Sequence, residues 1–263
     1  MLNKITGRRA NFDSGQFKRK PTSTVKDIVD FKQLERNAWQ YNGNARYDVY
    51  KVELAGKPVE HLVQLKKEKS QILILGPGLG KDILFLRKDL NEHKIKPIIN
   101  VFGLTKITDS QSAYSYIDKD YSIGVPFENL DPKIENHREI LEENIGKNDV
   151  IIALKSTSYH TNYLEFSLYQ SAIMLSKGGK AYLEFNFLEI KRKIPIKDKE
   201  KEEEYYNRLK IYFNSIDKSV NRMVNLFNKK YQKEFKFNIV WDFIRGKSSG
   251  DLKINYIEIE RIN

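Results

Sequence analysis

Three glycines at alternate positions, Gly76, Gly78 and Gly80, close the apolar run Gln-Ile-Leu-Ile-Leu at residues 71–75 and are followed by Lys81, Asp82 and Ile83. Glycine accepts positive φ and carries no Cβ, so such a turn lets a ligand come close to the main chain, and a helix beginning behind it offers free N–H groups. That spacing suits the binding of a nucleotide-like cofactor; a tight strand-to-helix connection with no ligand uses the same glycines. A polar stretch at 155–162, which includes Lys155, Ser156, Tyr159 and His160, follows a second apolar run at 149–154. The ordinary pKa of histidine, about 6.5, suits His160 to take a proton near neutrality. Capping of the next helix is the competing use of the same stretch.

Other chemistries find little support. Cysteine is absent, which leaves no disulfide framework, thiolate metal site or cysteine nucleophile. The four histidines, His61, His93, His137 and His160, stand singly without metal-ligand spacing, so no metal is expected. The formal charge of +11 and pI near 9.4 fit contact with a polyanion, either RNA, DNA or an anionic membrane surface. They fit equally a compositional excess of lysine, isoleucine, asparagine and tyrosine, the residues of AT-rich codons. Residues 1–22 concentrate Lys4, Arg8, Arg9, Lys18, Arg19 and Lys20, a basic arm that either touches a polyanion or is a poorly ordered terminus. No apolar run has the length of a membrane span or the form of a secretion signal, so a soluble, cytoplasmic protein is expected.

The elements that must carry these residues read as one α/β domain over 23–263. Thr24 opens a first helix, a second covers 58–67, and the strand at 71–75 enters the glycine turn. Ile83, Leu86 and Leu90 share one face of a helix over 83–91. A strand at 97–102 ends in Gly103, Leu104 and Thr105, and a third at 114–117 is closed by Asp118 and Asp120. A helix over 132–145, a strand at 149–154, a helix over 164–175 ended by Gly178-Gly179 and a strand at 180–187 complete the alternation. Residues 190–233 form a charged loop and a long helix whose stripe of Tyr206, Leu209, Phe213, Ile216, Val220, Met223, Phe227 and Tyr231 is read as core contact. Alternating strands at 237–245 and 252–262, joined by a glycine-serine turn, make a hairpin. The expected fold is therefore Rossmann-like: a doubly wound, mostly parallel, seven-stranded sheet with a C-terminal antiparallel hairpin.

This order of elements resembles the class I S-adenosylmethionine-dependent methyltransferases from about Tyr41 to the end of the chain. In that family the first strand ends in a GxGxG turn, matched by Gly76, Gly78 and Gly80, and the last two strands form an antiparallel hairpin. The aspartate-led run 149–154 looks like the family's fourth strand, and Leu175 to Ala181 looks like the connection into its fifth. A nicotinamide fingerprint would need glycine or alanine at Lys81 and an acidic residue after strand two. The Walker hydroxyl is also missing, Asp82 standing after Lys81.

The resemblance implies S-adenosylmethionine as cofactor and methyl transfer to an unidentified acceptor: a small molecule, a protein or a nucleic acid. It implies cofactor contacts at Gly76, Pro77, Gly78, Gly80, Asp82, Gly103, Leu104, Thr105, Asp118, Lys155 and Ser156, with His160 and Tyr159 as catalytic residues. Asp118 and Asp120 fall where the family often reads the adenine amino group. The stretch after strand four is not the Asn/Asp-Pro-Pro-Tyr motif of many amino-methylating enzymes. Two positions depart from the family: Ile74 stands where an acidic residue usually precedes the first glycine, and Gly103-Leu104-Thr105 carries no ribose-gripping carboxylate. Asp82 either supplies the missing charge for the methionine ammonium or answers the dipole of its helix. A binding or scaffold protein on the same fold, and a basic RNA-associated module, are the readings from other classes.

Overall fold

The computed structural model describes residues 54, 56–77, 81–103, 114–125, 127–153, 164–184, 190, 193–197, 200–245 and 252–263. Their helices are α1 (Lys57–Leu65), α2 (Lys81–Glu92), α3 (Glu135–Asn144), α4 (Leu164–Met174) and α5 (Glu202–Tyr231). The strands are β1 (Lys69–Leu75), β2 (Lys96–Phe102), β3 (Lys119–Asp120), β4 (Asn148–Ala153), β5 (Leu175–Leu183), β6 (Phe237–Arg245) and β7 (Leu252–Arg261). They form one seven-stranded sheet in the order β3-β2-β1-β4-β5-β7-β6. β1 to β5 are mutually parallel, and β7 pairs antiparallel with both β5 and β6. The fold is Rossmann-like, a mostly parallel sheet closed by the antiparallel C-terminal pair that the sequence pattern leads one to expect. The first helix, the N-terminal arm and the hairpin turn lie outside the described residues.

Central strands buried on both faces read as continuous apolar runs. Successive side chains of β1 and β4 alternate between two layers. Leu73, Leu75, Ile151 and Ala153 join the core under α3, α4 and α5, while Ile72, Ile74, Val150 and Ile152 pack under α1 and α2. Along α5, Leu209, Phe213, Ile216, Val220 and Phe227 are buried as expected. Two neighbours replace the expected ones: Tyr205 and Val224 are buried, whereas Tyr206 and Met223 are half-buried and Tyr231 is exposed. Over thirty residues a helix of 3.6 residues per turn drifts off any fixed three-four spacing, so the buried side shifts.

Two segment boundaries differ from the sequence reading. Residues 114–117 are not a strand: Tyr114–Tyr116 is a short 3-10 turn with both tyrosines exposed, and β3 follows it at Lys119–Asp120. The strand expected at 180–187 begins earlier, because Leu175 already pairs with Asn148 before the Gly178-Gly179 turn.

The amino edge of the sheet is tied by polar side chains. The Asp149 carboxylate accepts hydrogen bonds from Lys67 Nζ at 2.5 Å, Ser176 Oγ at 2.5 Å and the Gln71 amide at 3.0 Å, joining β4 to β1 and β5. Asn148 Nδ2 donates to the carbonyls of Asn144 and Met174, both at 3.2 Å, and closes the end of α3. Asp149→Asn keeps the shape but loses the charge and one acceptor oxygen. We expect it to cost about 1–2 kcal/mol, read as a lower urea midpoint at unchanged slope.

His61 of α1 is buried, and its Nε2 has no hydrogen-bond partner. Burial first, and the nearby Lys180 ammonium second, lower its pKa below the ordinary 6.5; Glu258, Glu260 and the Gly178 backbone pull weakly the other way. The unfolded chain therefore takes up this proton at a higher pH than the native protein. The stability that depends on neutral His61 is complete above pH 6.5 and is lost as pH falls below that value through the native pKa. The urea midpoint of the wild type should fall more between pH 7.5 and 5.5 than that of His61→Leu. Identical slopes would remove His61 as the cause.

Candidate functional site

Because β1 to β5 are parallel, their carboxyl ends share one edge of the sheet. The chain runs outward from β1 to β2 and β3, then crosses back to β4 on the other side of β1. Such a reversal opens a crevice outside the carboxyl ends of β1 and β4, where open α/β sheets bind ligands.

Gly76 stands at the end of β1 with φ of +67°, a conformation that costs any residue with a Cβ. Its amide donates to the Phe102 carbonyl at 2.7 Å, joining the ends of β1 and β2. Pro77 follows, half-buried. Gly103 follows β2 and is buried, and its amide donates to Ser122 Oγ at 2.7 Å. Asp120 ends β3, and its Oδ1 accepts the Ser122 amide at 2.8 Å, an aspartate turn that holds the serine in place. At the end of β5 the Glu184 amide donates to the Ala153 carbonyl at 2.8 Å, which sets the Glu184 main chain beside the end of β4.

The structure brings together Gly76, Pro77 and Gly103, with Asp120 close by. Asp118 makes a contact of its own. It stands one residue before β3 rather than at the end of a strand, and its Oδ2 accepts the Ile99 amide at 2.7 Å and faces Arg87 Nη2 at 3.4 Å. This carboxylate fixes the entry of β3 against the middle of β2. Asp82 falls in the first turn of α2, its side chain outside the described set. Gly78, Gly80, Leu104, Thr105, Lys155, Ser156, Tyr159 and His160 also lie outside the described residues. Ile74, where the family has an acid, packs in the apolar layer under α1 and α2.

Sequence reading gave no role to Ser122, Glu184, Lys57 or Tyr256. Lys57 Nζ donates to the Tyr256 hydroxyl and lies 4.8 Å from the centre of its ring, while the Tyr182 hydroxyl donates to the Lys57 carbonyl at 3.4 Å. These contacts fasten the start of α1 to β5 and β7. Burial, with Glu258 next, raises the Tyr182 pKa and keeps its phenol protonated. Tyr121, which follows β3, is pushed up to about 12 by burial and by its hydrogen bond with Glu143. The only local sign of Glu184 is a charge after the run Ala181-Tyr182-Leu183. Lys57 and Tyr256 are 199 positions apart, with no local sign at all.

As a whole the edge offers close main-chain approach at Gly76 and a fixed peptide at Phe102-Gly103, with the acidic residues Asp120 and Glu184, both engaged in contacts of their own, at the ends of β3 and β5. That set suits a neutral or cationic ligand carrying hydroxyl and amino groups. Among the described residues no group of three or more histidine, cysteine, aspartate or glutamate side chains is placed to hold a metal ion. Nor, among them, is any helix long and apolar enough to cross a membrane.

No known family profile matches the chain. No curated protein matches it either. Solved structures do resemble it. The plantazolicin methyltransferase BamL, crystallised with a triazolic desmethylPZN analog and SAH, is 14% identical over 88% of this chain and 91% of its own, at a TM-score of 0.47. A SAM-dependent methyltransferase from Thermotoga maritima is 14% identical over 87% of this chain and 96% of its own, at 0.37. The [4+2]-cyclase SpnF is 14% identical over 49% of this chain and 44% of its own, at 0.33. These are likenesses of fold, at identities that carry no substrate or acceptor across.

Proposed function

We propose that this chain is an S-adenosylmethionine-dependent methyltransferase whose cofactor lies along the carboxyl edge between β1 and β4. The observation that carries the reading is Gly76: a left-handed conformation that favours glycine, at the reversal point of a sheet that ends in an antiparallel pair. The edge fits the ligand in its need for close main-chain approach and for hydrogen-bond acceptors. It departs at Ile74, which leaves Asp82 as the group assigned to the methionine ammonium.

Gly76, Pro77, Gly78 and Gly80 hold the cofactor through the main chain. Gly103, Leu104 and Thr105 take the ribose side, with backbone groups and the Thr105 hydroxyl in place of a carboxylate. The adenine role falls to Asp118 or Asp120, just before and at the end of β3, each of which also accepts one main-chain amide, from Ile99 and from Ser122. Lys155 and Ser156, which follow β4 in sequence, are also assigned to the cofactor. When bound, S-adenosylmethionine supplies a methyl group already activated on a sulfonium. The work left to the protein is to align the acceptor and exclude water. His160, with Tyr159 beside it, takes the proton that an attacking O–H or N–H releases.

Titration calorimetry with SAH tests the reading. Saturable uptake by the wild type is the expected result, and no heat at high micromolar ligand would sink it. Ile74 and the missing ribose carboxylate also support a second reading, a binding protein on this fold without transfer. Tight SAH binding, with no methyl transferred to cell-extract acceptors from radiolabelled cofactor, would favour that reading.

A further inference from the structure

We propose that Ser122 is a positioning residue for the nucleoside end of the cofactor site, acting through the Phe102-Gly103 peptide; the inference rests on the cofactor reading above. β3 gives the sheet two residues, Lys119 and Asp120, paired with Asn100 and Val101. Main-chain bonds extend this contact by one step on each side, from the Asp118 amide to the Ile99 carbonyl at 2.8 Å and from the Tyr121 amide to the Val101 carbonyl at 2.9 Å. The next bond of a parallel ladder would run from the Gly103 amide to a main-chain carbonyl of β3's continuation. The Ser122 hydroxyl takes that place at 2.7 Å. It is 2% exposed, and its own amide is fixed by Asp120.

The consequence concerns one peptide group. Its carbonyl, on Phe102, accepts the Gly76 amide at 2.7 Å from the β1 side, and its N–H, on Gly103, is held by Ser122 from the β3 side. The plane of this peptide is thereby set from both flanks at the end of β2, beside the glycine turn. Without a ribose-gripping carboxylate after β2, recognition there depends on main-chain groups beside the Thr105 hydroxyl, and main-chain groups recognise only when their planes are fixed. Ser122 thus does by orientation part of what a carboxylate does by contact. A serine that merely filled space would leave the Gly103 amide indifferent to its hydroxyl.

The test compares Ser122→Ala and Ser122→Thr with the wild type. It uses amide hydrogen exchange by NMR at Gly103 and Ile99, and SAH calorimetry on the full chain. Ser122→Ala should exchange Gly103 at least about tenfold faster with Ile99 unchanged, and should bind SAH about tenfold more weakly; Ser122→Thr should restore both. Unchanged Gly103 protection in Ser122→Ala overturns the proposal. So does a freed Gly103 amide with wild-type affinity, which would make the serine structural only. A wild type that takes up no SAH overturns the methyltransferase reading, and the positioning role with it. Binding by the wild type that Ser122→Ala leaves intact overturns the role of Ser122 alone.

Discussion

Gly179→Ala should lower the melting temperature by about 10 °C, the largest stability loss expected of any one-methyl change here. A Cβ at this position would stand 2.7 Å from the Asn148 carbonyl oxygen, 3.0 Å from that of Ser176 and 3.1 Å from that of Asp149. All three are main-chain atoms that cannot swing aside as a side chain would. Two of them belong to the start of β4, which the Asp149 carboxylate already ties to Gln71 and Ser176. Relief must come from moving β5 off β4. Overpacking of this kind costs up to about 3 kcal/mol or more, and in a chain of this size each kcal/mol moves the midpoint by about 2–4 °C. Gly178→Ala is the control. There φ is +74° and the nearest atom to a Cβ is Leu65 Cδ2 at 3.7 Å, so the cost is backbone strain alone, about 1–2 kcal/mol. Equal losses in the two variants would discard close approach as the reason for the second glycine.

The contrast between these neighbours marks what could be read from the sequence. A Gly-Gly pair after an apolar helix signals a stop, but the helix ends four residues earlier at Met174 and the pair lies within β5. That the second glycine is required by β4 passing beneath it depends on a contact thirty positions back, which no local pattern carries. β1 and β4 were legible for the opposite reason: strands covered on both faces must be apolar throughout, and glycine or charge must end them. β3 was misread because only two of its residues enter the ladder, too few to leave an alternating pattern. The exposed Tyr114 and Tyr116 imitate strand composition where the chain makes a 3-10 turn. The site divides the same way. Gly76 announces itself by spacing, whereas Ser122 serves a glycine nineteen positions earlier and looks like any loop serine. Asp118 drew attention as an aspartate near a strand end; in the fold one of its oxygens also accepts the Ile99 amide, a long-range contact that no local pattern carries.

Gly76→Ala should separate fold from function, weakening SAH binding by tenfold or more while lowering the melting temperature by only a few degrees. The stability side follows from φ of +67°, which an L-residue adopts at a cost of about 1–2 kcal/mol. Either that strain stays in the turn or the residue relaxes to negative φ. Relaxation would turn the amide away from the Phe102 carbonyl, 2.7 Å distant, and release the end of β2 that Ser122 holds from the other side. In both cases the turn no longer presents the main chain as before, and in the first a methyl group also occupies the approach. Binding should therefore suffer through geometry, beyond what destabilisation explains, because a protein still folded at the assay temperature keeps its full concentration of sites. Calorimetry at 20 °C beside a thermal melt decides between two accounts of the glycine. A melting point lowered as expected with unchanged SAH affinity would make Gly76 a strand-to-helix connector and nothing more. A large affinity loss at nearly native stability would tie the positive φ to the ligand, because the same backbone strain that the fold tolerates would then be what the site cannot.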